Sequence, residues 1–275
     1  MNGAESLINA LAEHGVDACF ANPGTSEMQL VAALDKQPQI RAVLCLFEGV
    51  VTGAADGYGR MADKPALTLL HLGPGFANGI ANLHNAQRAH SPILNMVGDH
   101  ATDHLQHDAP LTSDIRGMAT PVSQSFSVSP NAEALAQTGL QALSDSQSYP
   151  GSISTFVVPA DHAWTAIAPP ITHLPGITTA RASDETIAAV AEQLRGAQHS
   201  ALFLGGRALR AEALYQAGRI AAATGCRLVT ETFFARQARG IGRVVTERLA
   251  YFGEMAVEQL AGRDPLVLVG AKAPV

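Results

Sequence analysis

Glu48 is the residue whose surroundings most clearly suggest chemistry. It follows the apolar run 42–47 and precedes Gly49, Val50 and Val51. Removing a carboxylate from water disfavours its charged form, so this setting is expected to raise the pKa of Glu48 and to suit it to sharing a proton with a ligand nitrogen. The start of a following helix would act in the opposite direction. The alternative is an acid at a helix start that faces solvent.

His71 and the glycines that follow it form a second group with chemical potential. His71 ends the apolar run 66–70 and could act as a general acid or base near neutral pH, or it could simply hydrogen-bond a loop. Gly73 and Gly75 would let the backbone approach a ligand closely, and the helix start after them would offer unpaired N–H groups. A dinucleotide fingerprint is the rival interpretation, but three residues separate Gly75 from Gly79 where Gly-x-Gly-x-x-Gly requires two.

A histidine cluster raises the possibility of a metal site. His100, His104 and His107 alternate with aspartates, at spacings that could bring metal ligands together on a helix. The segment is polar throughout and contains no cysteine. These features favour a solvated loop, and no metal ligand is predicted.

Apolar strand-like runs alternate with helical patterns along most of the chain. Nearly continuous apolar strands predict an α/β fold with a parallel sheet flanked by helices. The predicted strands of the first part cover residues 16–21, 41–47, 66–71, 93–97 and 153–158. Ligands bind beyond the carboxyl ends of such strands. Four segments are therefore expected to lie close together, namely 22–25, 47–49, 71–75 and 98–100.

The same alternation predicts two domains. Residues 1–160 are expected to form the first domain, and the proline-containing stretch 161–183 is expected to be a linker. Residues 184–275 predict a second, Rossmann-like α/β domain with strands at 201–204, 227–230 and 266–269. This second domain is expected to be incomplete, because no further helix follows the last strand.

Composition excludes several classes of protein. The 275 residues are 47% hydrophobic and 15% charged, which is unlike a disordered chain or a coiled coil. The net charge of −6 disfavours binding to nucleic acid. Three well-separated cysteines fit a reducing compartment. No signal peptide and no apolar run of about 18–20 residues is visible, so a cytoplasmic protein without a membrane span is expected.

Four segments in this order and spacing resemble the amino-terminal half of thiamine-diphosphate-dependent enzymes, particularly the acetolactate synthase large subunits and benzoylformate decarboxylase. They are FANPGTSE at 20–27, EGVVTGAADGYGR at 48–60, LHLGPGFANG at 70–79 and SPI at 91–93. The resemblance extends over nearly all of the chain. It implies decarboxylation or carboligation of a 2-oxo acid, that is, lyase or transferase chemistry, in a homodimer or tetramer.

The resemblance also implies roles for individual residues. Glu48 matches the glutamate that hydrogen-bonds the cofactor's aminopyrimidine and thereby promotes loss of the thiazolium proton. His71 matches an active-site histidine of the decarboxylase branch. The residues implied to contact the cofactor are Asn22, Pro23, Gly24, Thr25, Glu48, Gly73, Gly75 and Asn78.

Departures from the family pattern leave alternatives open. Phe47 stands where many relatives carry His or Gln, and residues 110–112 replace the Phe-Gln-Glu that is usual in acetolactate synthases. The chain contains no Gly-Asp-Gly, the motif with which the family binds magnesium and diphosphate, so both are expected to be held by a missing domain. The chain is thus expected to be a fragment, a truncated product or one half of a split enzyme, inactive alone. A non-catalytic binding module and a nucleotide-dependent oxidoreductase are the alternatives, and the second domain could hold FAD or be purely structural.

Overall fold

The computed structural model describes residues 1–177 and 181–274. The chain divides into two compact units, Met1–Thr179 and Ala180–Val275. Residues 178–180, which belong to the predicted linker, and Val275, at the end of the predicted second domain, lie outside the described residues.

The first unit is a parallel sheet with helices on both faces, as the strand pattern predicts, but it has six strands where the pattern predicts five. The additional strand is Ser125–Val128, in which serines interrupt the apolar pattern. The sheet has the order β2-β1-β3-β4-β6-β5. Its strands are β1 (Ala18–Asn22), β2 (Arg41–Leu44), β3 (Ala66–Leu70), β4 (Ile93–Asp99), β5 (Ser125–Val128) and β6 (Ile153–Pro159). Its helices are α1 (Gly3–Glu13), α2 (Met28–Asp35), α3 (Glu48–Ala62), α4 (Leu72–Arg88), α5 (Ile115–Ala119), α6 (Leu135–Gln147) and α7 (Ala160–Trp164). The predicted α/β parallel-sheet fold is confirmed.

Apolar side chains bury both faces of this sheet. Leu7 and Leu11 of α1 are fully buried in the cluster on one face. Val51 of α3, with Phe76 and Leu83 of α4, is fully buried in the cluster on the other face. Full burial of such a side chain contributes about 1.5–3 kcal/mol. The two layers therefore fix α3 and α4 side by side on the same face.

The start of α4 differs from the sequence prediction. The helix begins at Leu72, so Gly73, Pro74 and Gly75 form its first turn instead of a preceding loop. A proline fits a first turn because its missing N–H would have no helical partner there. The amide of Gly75 donates to the His71 carbonyl over 2.9 Å. His71 is thereby placed directly at the helix entrance.

The predicted linker differs from the structure in its first part. Residues 160–164 form α7, and the chain after it has almost no regular secondary structure but is hydrogen-bonded to the first unit. Gln137 Nε2 donates to the His173 carbonyl over 3.0 Å, and Ser144 Oγ donates to the Pro175 carbonyl over 3.1 Å. These hydrogen bonds attach the proline-rich segment to α6. Composition alone could not distinguish an attached segment from a linker.

The second unit is a smaller parallel sheet with the order β10-β7-β8-β9. Its elements are α8 (Asp184–Gly196), β7 (Ala201–Leu204), α9 (Ala211–Thr224), β8 (Arg227–Thr230), β9 (Glu247–Arg248), α10 (Gly253–Leu260) and β10 (Leu266–Val269). The bounds of β7, β8 and β10 are those predicted, whereas the two-residue β9 was missed because its apolar pattern is too short. None of the helices in the described ranges has the length and apolar character needed to span a membrane.

Candidate functional site

Glu48 is the first residue of α3 and lies at the carboxyl edge of the first sheet. Only 8% of its surface is exposed. Its Oε2 accepts a hydrogen bond from Asn78 Nδ2 over 3.0 Å. A carboxylate this buried needs polar partners, and α4 supplies one of them. The burial of Glu48 that its apolar neighbours in the sequence predict is therefore observed.

Close packing of α3 against α4 brings Asn78 to Glu48. Thr52 Oγ1 donates to the Gly79 carbonyl over 2.9 Å, and Asn82 Nδ2 donates to the Gly49 carbonyl over 2.7 Å. A β-carbon at Gly79 would lie 2.8 Å from Thr52 Cγ2, closer than real contacts allow. The glycines in these two helices, which weaken helix propensity, thus permit the approach that the site requires.

Glu27 and His71 form a paired group beside Glu48. Glu27 Oε2 lies 2.7 Å from His71 Nδ1 and accepts a hydrogen bond from the Gly24 amide over 2.7 Å. A β-carbon at Gly24 would overlap the His71 ring, so only glycine lets the chain pass there. With the Nδ1 proton directed at Glu27, Nε2 is the ring nitrogen left for exchange with a ligand.

Burial sets the electrostatics of Glu27. Its side chain is fully buried, and Oε1 has no hydrogen-bond partner among the described residues. Desolvation raises the pKa of Glu27, while the Gly24 amide and His71 act to lower it. A group whose charged form is disfavoured in this way can share a proton with the neighbouring imidazole.

Gly75 lies between the two predicted catalytic residues. A β-carbon at Gly75 would be 3.3 Å from Glu48 Oε1 and 3.4 Å from His71 Cβ. The Glu48 carboxylate and the β-carbon of His71 therefore lie close to each other, with only Gly75 between them. A flat or small ligand group could contact both from this edge.

The other residues predicted to contact the cofactor do not all lie in the same place. Asn22 ends β1 and lies in register with Leu70, and Pro23 follows it at the same sheet edge. Thr25 is exposed and begins the short 3-10 turn at 25–27. Gly73 faces elsewhere, because a β-carbon there would overlap Ser113. The structure thus groups Gly24, Glu48, His71, Gly75 and Asn78 and leaves Gly73 beside the segment before α5.

The end of β4 joins the site through its backbone. A β-carbon at Gly98 would overlap Glu27 Oε1, so the strand passes directly against the buried carboxylate. Desolvation raises the pKa of the next residue, Asp99.

The histidines beyond Asp99 lie in a row, with ring centroids 5.4 Å apart for His100 and His104 and 5.7 Å apart for His104 and His107. Within residues 1–177 and 181–274, no set of three or more metal-ligating side chains is arranged to hold an ion.

Glu27 is a site residue that the sequence analysis did not single out, although it ends the FANPGTSE segment at 20–27. A signal was present. Glu27, Leu30 and Leu34 share the spacing of one helical face, and both leucines are buried. An acid on the apolar face of a helix is costly without a partner, so this pattern should have marked Glu27 as a functional residue.

Gly98→Ala is expected to destabilise the protein by about 1–3 kcal/mol, because the new methyl group must displace the buried Glu27 carboxylate. Gly57→Ala is the matched control. Gly57 is exposed within α3 and nothing lies within 4 Å of the added carbon, so this change should stabilise the helix by up to about 1 kcal/mol. Urea unfolding of both variants measures the difference. Equal effects of the two substitutions would contradict the close approach of Gly98 to Glu27.

A protein-family model described as "Thiamine pyrophosphate enzyme, N-terminal TPP binding domain" matches residues 1–120. The matched range contains all four strand ends that carry the predicted site residues. Residues 1–120 carry the amino-terminal domain of the thiamine pyrophosphate enzymes. The resemblance inferred from the sequence motifs is therefore confirmed.

Relatives of this thiamine pyrophosphate domain include synthases and decarboxylases. The "Putative acetolactate synthase large subunit IlvX" of Mycobacterium tuberculosis is 50% identical over 277 residues, covering 100% of this chain and 53% of that protein. Benzoylformate decarboxylase of Pseudomonas aeruginosa is 34% identical over 103 residues, covering 38% of this chain and 19% of that protein. The chain spans about half the length of the first of these relatives. The matches do not favour a nucleotide-dependent oxidoreductase.

Solved structures show the same fold. The thiamine diphosphate-dependent 4-hydroxybenzoylformate decarboxylase of Rhodococcus jostii RHA1 superposes with a TM-score of 0.85 and 24% identity, over 98% of this chain and 52% of that one. Benzoylformate decarboxylase of Polynucleobacter necessarius superposes with a TM-score of 0.84 and 20% identity, over 98% of this chain and 51% of that one.

Proposed function

We propose that this chain supplies the pyrimidine-binding side of a thiamine-diphosphate-dependent enzyme that decarboxylates or ligates 2-oxo acids. The observation that carries the proposal is the buried Glu48 carboxylate, held by Asn78 on one oxygen and facing Gly75 with the other. Such a group can hold a proton toward a ring nitrogen of a bound ligand.

The residues present fit the aminopyrimidine end of thiamine diphosphate. Glu48 offers a carboxylate in a setting that excludes water, Gly75 leaves room for a flat ring, and Gly24 lets the chain pass close to His71. When bound, the cofactor supplies an electron sink for cleavage of the bond next to a 2-oxo group. Glu48 would orient the cofactor's pyrimidine ring and hold a proton at its carboxylate.

His71, positioned by Glu27, would transfer a second proton, distinct from the one that Glu48 holds. Glu27 Oε2 fixes the His71 ring through Nδ1 over 2.7 Å. The ring is partly exposed, with 23% of its side chain accessible. His71 would therefore be the catalytic residue that exchanges a proton with the substrate, and Glu27 would be a positioning residue. His71, with the departure at residues 110–112, favours a decarboxylase-like site over the synthase pattern.

A second copy of the chain is the proposed partner of the Glu48 edge. Leu46 is 90% exposed and Leu44 is 69% exposed, and Phe47 and Val50 beside them are also open to solvent. These four side chains form an apolar surface next to the site, and such surfaces are typical of interfaces. We therefore propose a homodimer or a tetramer, in a cytoplasmic setting that keeps the three buried cysteines reduced.

We propose that the second unit does not hold a flavin. In a sheet of this order, a dinucleotide diphosphate would bind the turn after the first strand, here Gly205 and Gly206. A β-carbon at Gly205 would lie 2.5 Å from Glu231 Oε2. The Glu231 carboxylate therefore lies against the turn to which a dinucleotide diphosphate would bind, and its negative charge disfavours a diphosphate there. No step through FAD is derived. In this proposal, magnesium is bound by polypeptide other than residues 1–275.

A fusion enzyme tests the proposed function. Residues 1–275 would be joined to the part of the Mycobacterium tuberculosis relative that lies beyond the match, and the full-length relative would serve as the control. The fusion is expected to bind thiamine diphosphate in the presence of magnesium and to release CO₂ from 2-oxo acids such as pyruvate or benzoylformate. A fusion that is folded by circular dichroism but binds no cofactor would reject the proposal.

The chain alone is expected to show weak or no magnesium-dependent binding of thiamine diphosphate. It has no Gly-Asp-Gly, and its net charge of −6 gives no general attraction to a polyanion. Calorimetry with the cofactor and magnesium checks this, and light scattering should show self-association of the same sample. A micromolar, magnesium-dependent isotherm from the purified chain would contradict the prediction.

A further inference from the structure

The second unit contains a cavity of about 350 Å³ at the carboxyl ends of β8 and β9. Thr230, the last residue of β8, lies in register with Arg248, the last residue of β9, and both line the cavity. Ligands commonly bind at this edge of a parallel sheet. The cavity is lined by Thr230, Phe234, Gln237, Arg239, Gly240, Arg243, Val244, Val245, Thr246 and Arg248.

The charge of this cavity is opposite to that of the chain. Three lining residues are arginines, and no Asp or Glu is among the lining residues that the structure describes. The surrounding segment 227–248 contains five arginines and two glutamates, whereas the whole chain carries −6. One of the two glutamates, Glu247, is engaged outside the cavity by Arg227, whose Nε donates to it over 2.6 Å. The arginines of the cavity are thus not neutralised by a lining carboxylate.

A buried hydroxyl points independently to a ligand. Thr230 is fully buried, and its Oγ1 has no hydrogen-bond partner among the residues described. An unpaired buried hydroxyl costs about 1–3 kcal/mol relative to a paired one. Its neighbours Gln237 and Thr246 are already bonded to each other, since Gln237 Nε2 donates to Thr246 Oγ1 over 2.8 Å. A ligand oxygen would give Thr230 the acceptor that it lacks.

One of the arginines is held in place by its surroundings. Arg248 Nε donates to the Thr232 carbonyl over 2.6 Å, and its guanidinium lies 5.4 Å from the centre of the Phe234 ring. This leaves the outer nitrogens of Arg248 for another acceptor. Guanidinium groups bind phosphate through two parallel hydrogen bonds, and a preorganised group loses less entropy on binding.

We propose that this cavity is a binding site for a small phosphate-bearing molecule. Arg239, Arg243 and Arg248 would bind the phosphate oxygens, and the Thr230 hydroxyl would donate to one of them. Phe234 and Val244 would pack against the organic part of the ligand. The site lies wholly within the second unit and uses none of the residues around Glu48.

Calorimetry of the purified chain with inorganic pyrophosphate, without magnesium, tests the proposal. Saturable binding is expected. Arg243→Ala should weaken it about 10-fold or more, because it removes a charge-assisted contact. Arg219→Ala is the matched control, since Arg219 is exposed on α9 and carries the same charge outside the cavity. The control should change the affinity less than 2-fold.

Thr230→Val separates binding from folding. The substitution removes an unpaired hydroxyl and keeps the shape, so the unfolding temperature should not fall, while pyrophosphate binding weakens about 3-fold or more. Binding of malonate, a dicarboxylate, is measured in the same way to test whether the cavity prefers phosphate to carboxylate. The proposal is overturned by absence of saturable pyrophosphate binding, by equal losses in the two arginine variants, by unchanged binding in Thr230→Val, or by tighter binding of malonate than of pyrophosphate.

Discussion

Glu48→Gln is expected to lower the cofactor-dependent turnover of the fusion enzyme by about 10²–10⁴-fold, the usual contribution of a positioned proton-transfer group. The amide has the same shape as the carboxyl group, and its oxygen can still accept from Asn78, so the fold should be retained. The amide cannot hold or give up the proton that the proposed role requires. Steady-state decarboxylation and deuterium exchange at the reactive carbon of bound thiamine diphosphate measure the loss.

Glu13→Gln is the control for this experiment. Glu13 is an exposed acid at the end of α1, and its replacement makes the same chemical change far from the sheet edge. Its turnover should equal that of the unmodified fusion. If deuterium exchange in Glu48→Gln were also unchanged, the role proposed for Glu48 would be wrong.

The fold could be predicted from sequence where the pattern is local and apolar. The bounds of β7, β8 and β10 follow from continuous hydrophobic runs. The start of α4 could not be predicted this way, because Gly73 and Pro74 have poor helix propensity and are accommodated only by their place in a first turn. The attachment of residues 165–177 to α6 depends on hydrogen bonds from distant side chains, which no local pattern reports.

The candidate site was predictable to the extent that its residues follow strands. Glu48, His71 and Gly75 were expected together because the carboxyl ends of parallel strands meet at one edge. Glu27 ends the 3-10 turn between β1 and α2, beyond the strand-end segment 22–25, so the strand-end rule did not include it. Its pairing with His71 joins residues 44 positions apart. Such a pairing depends on the strand order of the sheet, which the sequence pattern leaves open.

The cavity of the second unit could not be predicted from local sequence patterns either. The arginines that meet in the cavity stand at 239, 243 and 248, in an irregular segment without apolar periodicity. Their convergence depends on the two-residue strand β9, whose register with β8 places Arg248 beside Thr230.

The pairing of Glu27 with His71 has a consequence for catalysis that separates the two residues. His71→Ala is expected to lower turnover of the fusion enzyme by about 10²–10⁴-fold, because it removes the group that is proposed to exchange a proton with the substrate. Added imidazole should restore part of the activity, which a merely structural role would not allow. His84→Ala, an exposed histidine on α4, is the control and should leave turnover unchanged.

Glu27→Gln should give an intermediate loss in the same assay. The amide keeps the side-chain volume, but it no longer offers the carboxylate that fixes the His71 ring and accepts from the Gly24 amide. We expect kcat to fall with little change in KM, because substrate contacts remain while the imidazole loses its fixed orientation. Imidazole should not rescue this variant, since His71 still occupies its place. Wild-type kcat in both variants across pH 5–8 would show that the pair only stabilises the end of β3.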